Sequence, residues 1–136
     1  MKTQTMTVTT GTTKTFVDVT REAAAFVAGE GDGLLNVFVP HATAGVAVIE
    51  TGDGSDHDFM DSIDRLLPPD DGLYRHRHGS SGHGADHVMP GWISPSTMVP
   101  VIGGHLQLGT WQSIVLIDPN RDNPVRKLIL SFLSST

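Results

Sequence analysis

Residues 97–108 read Thr97-Met98-Val99-Pro100-Val101-Ile102-Gly103-Gly104-His105-Leu106-Gln107-Leu108. Two apolar runs on either side of a Gly-Gly pair form the pattern of a β-hairpin, because glycine supplies the positive φ that a tight turn demands. A hairpin makes its two strands antiparallel neighbours. Moving toward the C-terminus, residues 111–117 read as a strand, 118–124 as a polar turn and 125–133 as a last apolar strand. Toward the N-terminus, 34–39 is a short apolar run ended by Pro40, and 43–50 is a second β-branched run. Residues 3–10 alternate threonine with other side chains, as a strand does, and 15–19 give one more strand. Helical signals occur twice. Thr20 is placed to cap a helix over 21–28, with Glu22 in its first turn and Gly29 just past its end. Ser55 with Asp58 three residues on has capping-box spacing, the stripe is Phe59, Ile63, Leu66 and Leu67, and Pro68-Pro69 stops the helix. Strands outnumber helices and most connections are short. The expected fold is therefore a single α+β domain over residues 1–136, mainly antiparallel sheet with two α-helices.

The chain has 136 residues, enough for one domain with its own core. Cysteine is absent, which excludes disulfides and thiolate metal sites and fits a reducing compartment. Residues 1–15 are polar and threonine-rich, without the apolar centre of a signal peptide, and no run is long enough to span a bilayer. The formal net charge of −6 repels phosphate backbones. The expectation is a soluble cytoplasmic protein that takes a small-molecule substrate and neither nucleic acid nor membrane. Walker, Rossmann and serine-elbow motifs are absent from the sequence.

The chemistry concentrates in histidine. Residues 70–96 have no clear period, a long loop by the usual measure, and hold His76, His78, His83 and His87. Imidazole is both a common metal ligand and the natural acid or base near neutral pH. His76 and His78 share one face of an extended segment. His83 and His87 would pair on a helix, although Gly82 and Gly84 argue against one. The spacing matches no standard zinc signature, and a glycine-rich loop with exposed histidines accounts for it equally well. His41 follows Pro40 between two strands, as either a cleft residue or a hydrogen-bonded structural histidine. Glu50 ends the next strand and reads as a ligand, a base, a partner that orients a histidine, or a solvated strand end. Asp53, Asp56 and Asp58 read best as favourable charge at a helix N-terminus. Gly109-Thr110-Trp111-Gln112 reads as a pocket wall with a polar grip, or as a core Trp beside a bulge. Arg121 and Arg126 read as solvated turn charges that could also hold an anion.

Three blocks in this order and spacing resemble the YjbQ-like family: Pro40-His41-Ala42-Thr43-Ala44, Leu66-Leu67-Pro68 with Tyr74-Arg75-His76, and Gly104-His105-Leu106-Gln107-Leu108-Gly109-Thr110-Trp111-Gln112. The resemblance runs from about residue 15 onward. It implies a compact α+β homotrimer with a histidine-rich pocket for a divalent metal, zinc in the first place and magnesium as the alternative. It also implies the family's description as secondary thiamine-phosphate synthase, which joins a hydroxymethylpyrimidine pyrophosphate to a thiazole phosphate and releases pyrophosphate. Carried onto this chain, it makes His41, Glu50 and His76 catalytic. It makes Thr43, Thr110, Trp111 and Gln112 substrate-binding, and His41, His76 and His87 metal ligands. The family's third histidine segment is matched to Pro90-Gly91-Trp92-Ile93, which puts Trp92 at a ligand position and leaves His83 or His87 to replace it. A metal-assisted hydrolase of a small phosphorylated or acylated substrate, and a non-catalytic trimeric binding protein, are the alternatives.

Overall fold

The structure, a computed structural model, describes residues 1–119 and 121–136. Among these residues, eight strands form two antiparallel sheets. The first takes β1 (Lys2–Thr9), β8 (Val125–Ser134), β3 (Gly33–Phe38), β5 (Ser96–Ile102) and β6 (His105–Leu106), in that spatial order. The second takes β2 (Thr15–Asp18), β7 (Ser113–Asp118) and β4 (Gly45–Ile49). The expected hairpin is β5–β6, turned by Gly103 and Gly104 at φ 55° and 77°. Its second strand is shorter than the sequence suggested: Gln107 donates to Pro100 O and the ladder then ends.

The main core lies between the sheets. Leu35, Val37, Val99, Val101, Leu128, Leu130 and Phe132 from the large sheet meet Val46, Ile114 and Leu116 from the small one. Helix α1 (Thr20–Val27) closes this core with Ala23, Phe26 and Val27. Strand β7 is buried on both faces, since Val115 and Ile117 point the other way, into a second cluster under α2 (Ser55–Leu66) and α3 (His83–Val88). Burial on both sides explains why β7 reads as an unbroken apolar run rather than an alternating one. The order through the molecule is large sheet, core, small sheet, then α2 and α3. No helix among the described residues is long and apolar enough to cross a membrane.

Several local expectations are corrected. Thr20 is the first residue of α1, not its cap; its hydroxyl accepts the Ile114 N–H at 2.8 Å, while Asp18 Oδ1 accepts the Thr20 N–H at 2.9 Å. The Ser55–Asp58 capping box does not form. Gly54, at φ 89°, starts α2, and Asp56 folds back to accept the N–H groups of Gly52 and His57. Met60, Ile63 and Leu67 make the buried stripe of α2, whereas Leu66 is 56% exposed. Trp111 lies in a turn before β7 rather than in the strand, and is 74% exposed. The 70–96 segment is not a structureless loop: it carries α3 and two short 3-10 turns, Asp71–Leu73 and Met89–Gly91. Among the described residues there are thus three α-helices, not two. Arg126 is no solvated charge but 1% exposed, with Asp118 and Thr43 buried around it.

Candidate functional site

The site is built by the segment between α2 and β5. Asp70 accepts the Gly72 N–H and starts the first 3-10 turn. The Tyr74 hydroxyl donates to Pro68 O at 2.8 Å, anchoring the irregular segment that carries His76. Asp71 reaches forward, Oδ1 accepting the Gly82 N–H and Oδ2 the Ser81 hydroxyl, and so holds the start of α3. Gly82 precedes α3 at φ 84°, a left-handed conformation that costs glycine little. Gly84 packs against Tyr74: a Cβ there would lie 2.9 Å from Tyr74 Cβ. The two glycines that counted against a helix are the residues that let it start and dock.

Once α3 forms, the four-residue spacing puts His83 and His87 on one face, opposite His76. Ring centroids are 4.3 Å apart for His76–His87, 4.6 Å for His83–His87 and 5.3 Å for His76–His83. His83 Nε2 and His87 Nε2 are 3.0 Å apart. One nitrogen from each of the three rings falls in a set within 4.8 Å. Both ring nitrogens of His76, and Nδ1 of His83, are buried without a hydrogen-bond partner. Burial first, then the neighbouring imidazoles, holds the His76 and His87 pKa values below the ordinary histidine value, so both rings are biased to the neutral, ligating form. Asp122 Oδ2 stands 3.2 Å from His83 Nδ1, close enough to orient the ring though not in hydrogen-bond alignment. Ser80 donates its backbone N–H to the same carboxylate, which holds Asp122 below the usual carboxylate range. Asp86, on the next turn of α3, is pushed up to about 7 by burial and then by the charge of Asp118. His78 stacks on His76 at 3.9 Å between centroids and is exposed.

Buried polar atoms nearly always find partners, so the two orphaned nitrogens of His76, beside the His83 and His87 rings, call for a ligand. Three imidazoles form a donor set that zinc and similar ions accept. In a tetrahedral zinc site the nitrogens sit about 3.4 Å apart, a modest contraction of the observed spread. The residues present fit a divalent metal.

The remaining predicted residues divide between the two ends of β7. His41 lies at the Asp118 end. It is half-buried, and its Nε2 accepts the backbone N–H of Lys127 at 3.0 Å. Burial and then the Arg126 charge lower its pKa. It stands outside the three-histidine group, as a hydrogen-bonded structural histidine would. Thr43, beside it, is buried, and its Oγ1 accepts from Arg126 Nη2 at 2.9 Å. Arg126 also forms a two-pronged pair with Asp118, at 2.8 Å and 2.7 Å. Glu50 is exposed one residue past β4, at the Ser113 end, because Ile49 pairs with Ser113. Thr110, Trp111 and Gln112 precede Ser113 at that same end. Gln112 N–H closes a turn on Gly109 O, and Gln112 Oε1 accepts the Gly109 N–H. The six residues of β7 separate the two ends by about 17 Å. Within one chain, the Thr-Trp-Gln block and Glu50 are therefore not beside His76. Trp92 ends the second 3-10 turn and is 67% exposed, away from any ligand position. His87 supplies the third imidazole together with His83, so the two are joint members and not alternatives. The signal for His83 was its spacing from His87. Asp86, Asp122 and the buried Arg126 left no comparable mark in the sequence.

Comparison with known proteins gives one consistent answer. The family model described as "UPF0047 protein YjbQ-like" matches residues 4–135. The UPF0047 protein Rv2556c of Mycobacterium tuberculosis is 62% identical over 117 residues, 86% of this chain and 87% of that protein. UPF0047 protein YugU of Bacillus subtilis is 35% identical over 101 residues, 72% of this chain and 74% of its own. Among solved structures, the hypothetical protein APE1520 of Aeropyrum pernix superposes with a TM-score of 0.87 at 34% identity, covering 99% of this chain and all of that one. A protein of unknown function from Sulfolobus solfataricus shares the fold, with a TM-score of 0.86 at 23% identity over 98% of this chain and 97% of that one.

Proposed function

The chain belongs to the YjbQ-like UPF0047 family, and from that premise we propose that it is a metal-dependent enzyme whose ion is held by His76, His83 and His87. The observation that carries this reading is the convergence of three imidazoles, with both ring nitrogens of His76 buried without a hydrogen-bond partner. When bound, a zinc-like ion with three protein ligands and an open position supplies a Lewis acid that acidifies water and polarises a phosphoryl or acyl oxygen. Asp122 orients the His83 ring and carries negative charge beside it. Burial and then the neighbouring imidazoles lower the pKa values of His76 and His87, which favours the form that ligates. An open cleft of about 230 Å3, lined by His76, Arg77, His78, Ser80 and Ser81, gives a small molecule access. The reaction that fits best is hydrolysis of a small phosphorylated or acylated substrate. Joining a pyrimidine pyrophosphate to a thiazole phosphate is the second reading, supported by the family resemblance. Restored growth of a strain lacking its thiamine-phosphate synthase would favour that reading, and no growth at good expression would remove it. We place the protein in the cytoplasm as a homotrimer. Supporting assembly is the outer face of the large sheet, where Leu34, Phe38, Met98, Ile102 and Leu133 are exposed. A single-chain mass in light scattering would overturn the trimer.

The metal reading is tested by zinc content after purification and dialysis. Wild type is expected to retain about one ion per chain, as one closed set of three protein ligands implies. His76→Ala, His83→Ala and His87→Ala are expected to lose it, and His41→Ala to keep it. Zinc-free wild type after zinc loading, or loss only in His41→Ala, would sink the assignment.

A further inference from the structure

Arg77 follows directly on His76 and lines the same cleft. Its Nη1 lies against three backbone carbonyl oxygens, those of Asp71, Tyr74 and His76, and its two N–H groups are shared among them. A guanidinium gripped at one corner has lost most of its rotamer freedom, and its remaining N–H groups form a planar fork of fixed direction. Unlike Arg126, which is neutralised by Asp118, and Arg21, which lies against Glu22, Arg77 has no ion pair among the described residues. Asp71, the carboxylate on the same cleft, is turned away to the Gly82 N–H and the Ser81 hydroxyl. A held cation with no ion pair among the described residues thus lines the cleft that His76 also lines, in a chain of net charge −6. Orienting an arginine against backbone carbonyls alone gains little for folding at an exposed position. It preorganises a binding group at low entropic cost.

We propose that Arg77 is the anchor for an oxyanion of the substrate, a phosphoryl or carboxylate group, that sits in the cleft beside the three histidines. The site is then two-pronged. The histidine side takes one anionic oxygen and the Arg77 fork takes another, which selects small anionic substrates over neutral ones. This rests on the metal reading above only for the first prong, since the fork is present in the chain itself.

The test is calorimetric titration of inorganic phosphate, and separately of acetate, into the full chain with and without zinc. Wild type, Arg77→Gln and Arg77→Lys are compared, and zinc content is measured on each sample. Wild type is expected to bind one of the two anions, and the preferred anion tells a phosphoryl from a carboxylate substrate. Arg77→Gln is expected to weaken that binding by about tenfold or more, the scale of one charge-assisted hydrogen bond, at unchanged zinc content. Equal affinity in wild type and Arg77→Gln overturns the proposal, as does wild type binding neither anion in either state. If Arg77→Gln also sheds zinc, Arg77→Lys decides. The lysine keeps the charge and loses the fork, so wild-type affinity in that variant overturns the proposal and weakened affinity supports it. Failure of wild type to hold zinc would remove the metal reading alone, because the zinc-free titration still judges Arg77.

Discussion

A buried ion pair ties the end of β7 to β8. Arg126 and Asp118 are both fully buried, and Thr10 and Thr43 contribute hydroxyl groups to the same pair. Truncating one member leaves the other charge buried alone, so Asp118→Ala is expected to cost about 3–5 kcal/mol in urea unfolding. Arg126→Met combined with Asp118→Leu should recover much of that, because the lone charge is gone. Asp86 gives a prediction with a pH signature. Its folded pKa, near 7, exceeds the carboxylate value of the unfolded chain, so the folded state resists ionising it. The resulting cost is absent below about pH 4, grows as the pH rises and levels off above about 7. In zinc-free protein, Asp86→Asn is therefore expected to stabilise by about 1–2 kcal/mol at pH 8 and progressively less toward pH 4. A gain independent of pH would contradict the burial of that charge. At this scale the sequence was only partly legible. Seven histidines announced imidazole chemistry, but a burial state such as that of Arg126 depends on partners far along the chain and leaves no local pattern.

Among the elements, α3 decides whether a site exists. It is six residues long and depends on tertiary support, since so short a helix is unstable alone. Its support is the Gly84 contact with Tyr74 and the Asp71 grip on Gly82. Gly84→Val is expected to push α3 off Tyr74, separate His83 and His87 from His76, and abolish zinc retention while the sheets survive. Far-ultraviolet circular dichroism with metal analysis checks both halves of that statement. The long strands and the β5–β6 hairpin were readable because their periodicity is intrinsic to the chain. Helix α3 was not, because Gly82 and Gly84 are poor helix formers by propensity and are required here by φ and by close approach. The capping of α2 was misread for a related reason: Asp56, not Ser55, secures its start, through bonds that bend back toward Gly52.

Across the whole molecule, the two sheets set what can meet. β7 puts the three-histidine site at one end, and Glu50 with the Thr110-Trp111-Gln112 turn at the other. Linear order had made them appear as one site, since sequence spacing carries no information about which end of a strand faces which. His41 stays at the histidine end, its Nε2 accepting the Lys127 N–H. The function then turns on whether one ion is held by three side chains from the 76–87 segment. Zinc K-edge X-ray absorption on the zinc-loaded chain tests this most directly. Three imidazoles and one further light-atom ligand, at the roughly 2.0–2.1 Å of zinc–nitrogen bonds, are the expected result. An oxygen-dominated shell with one imidazole or none would contradict it.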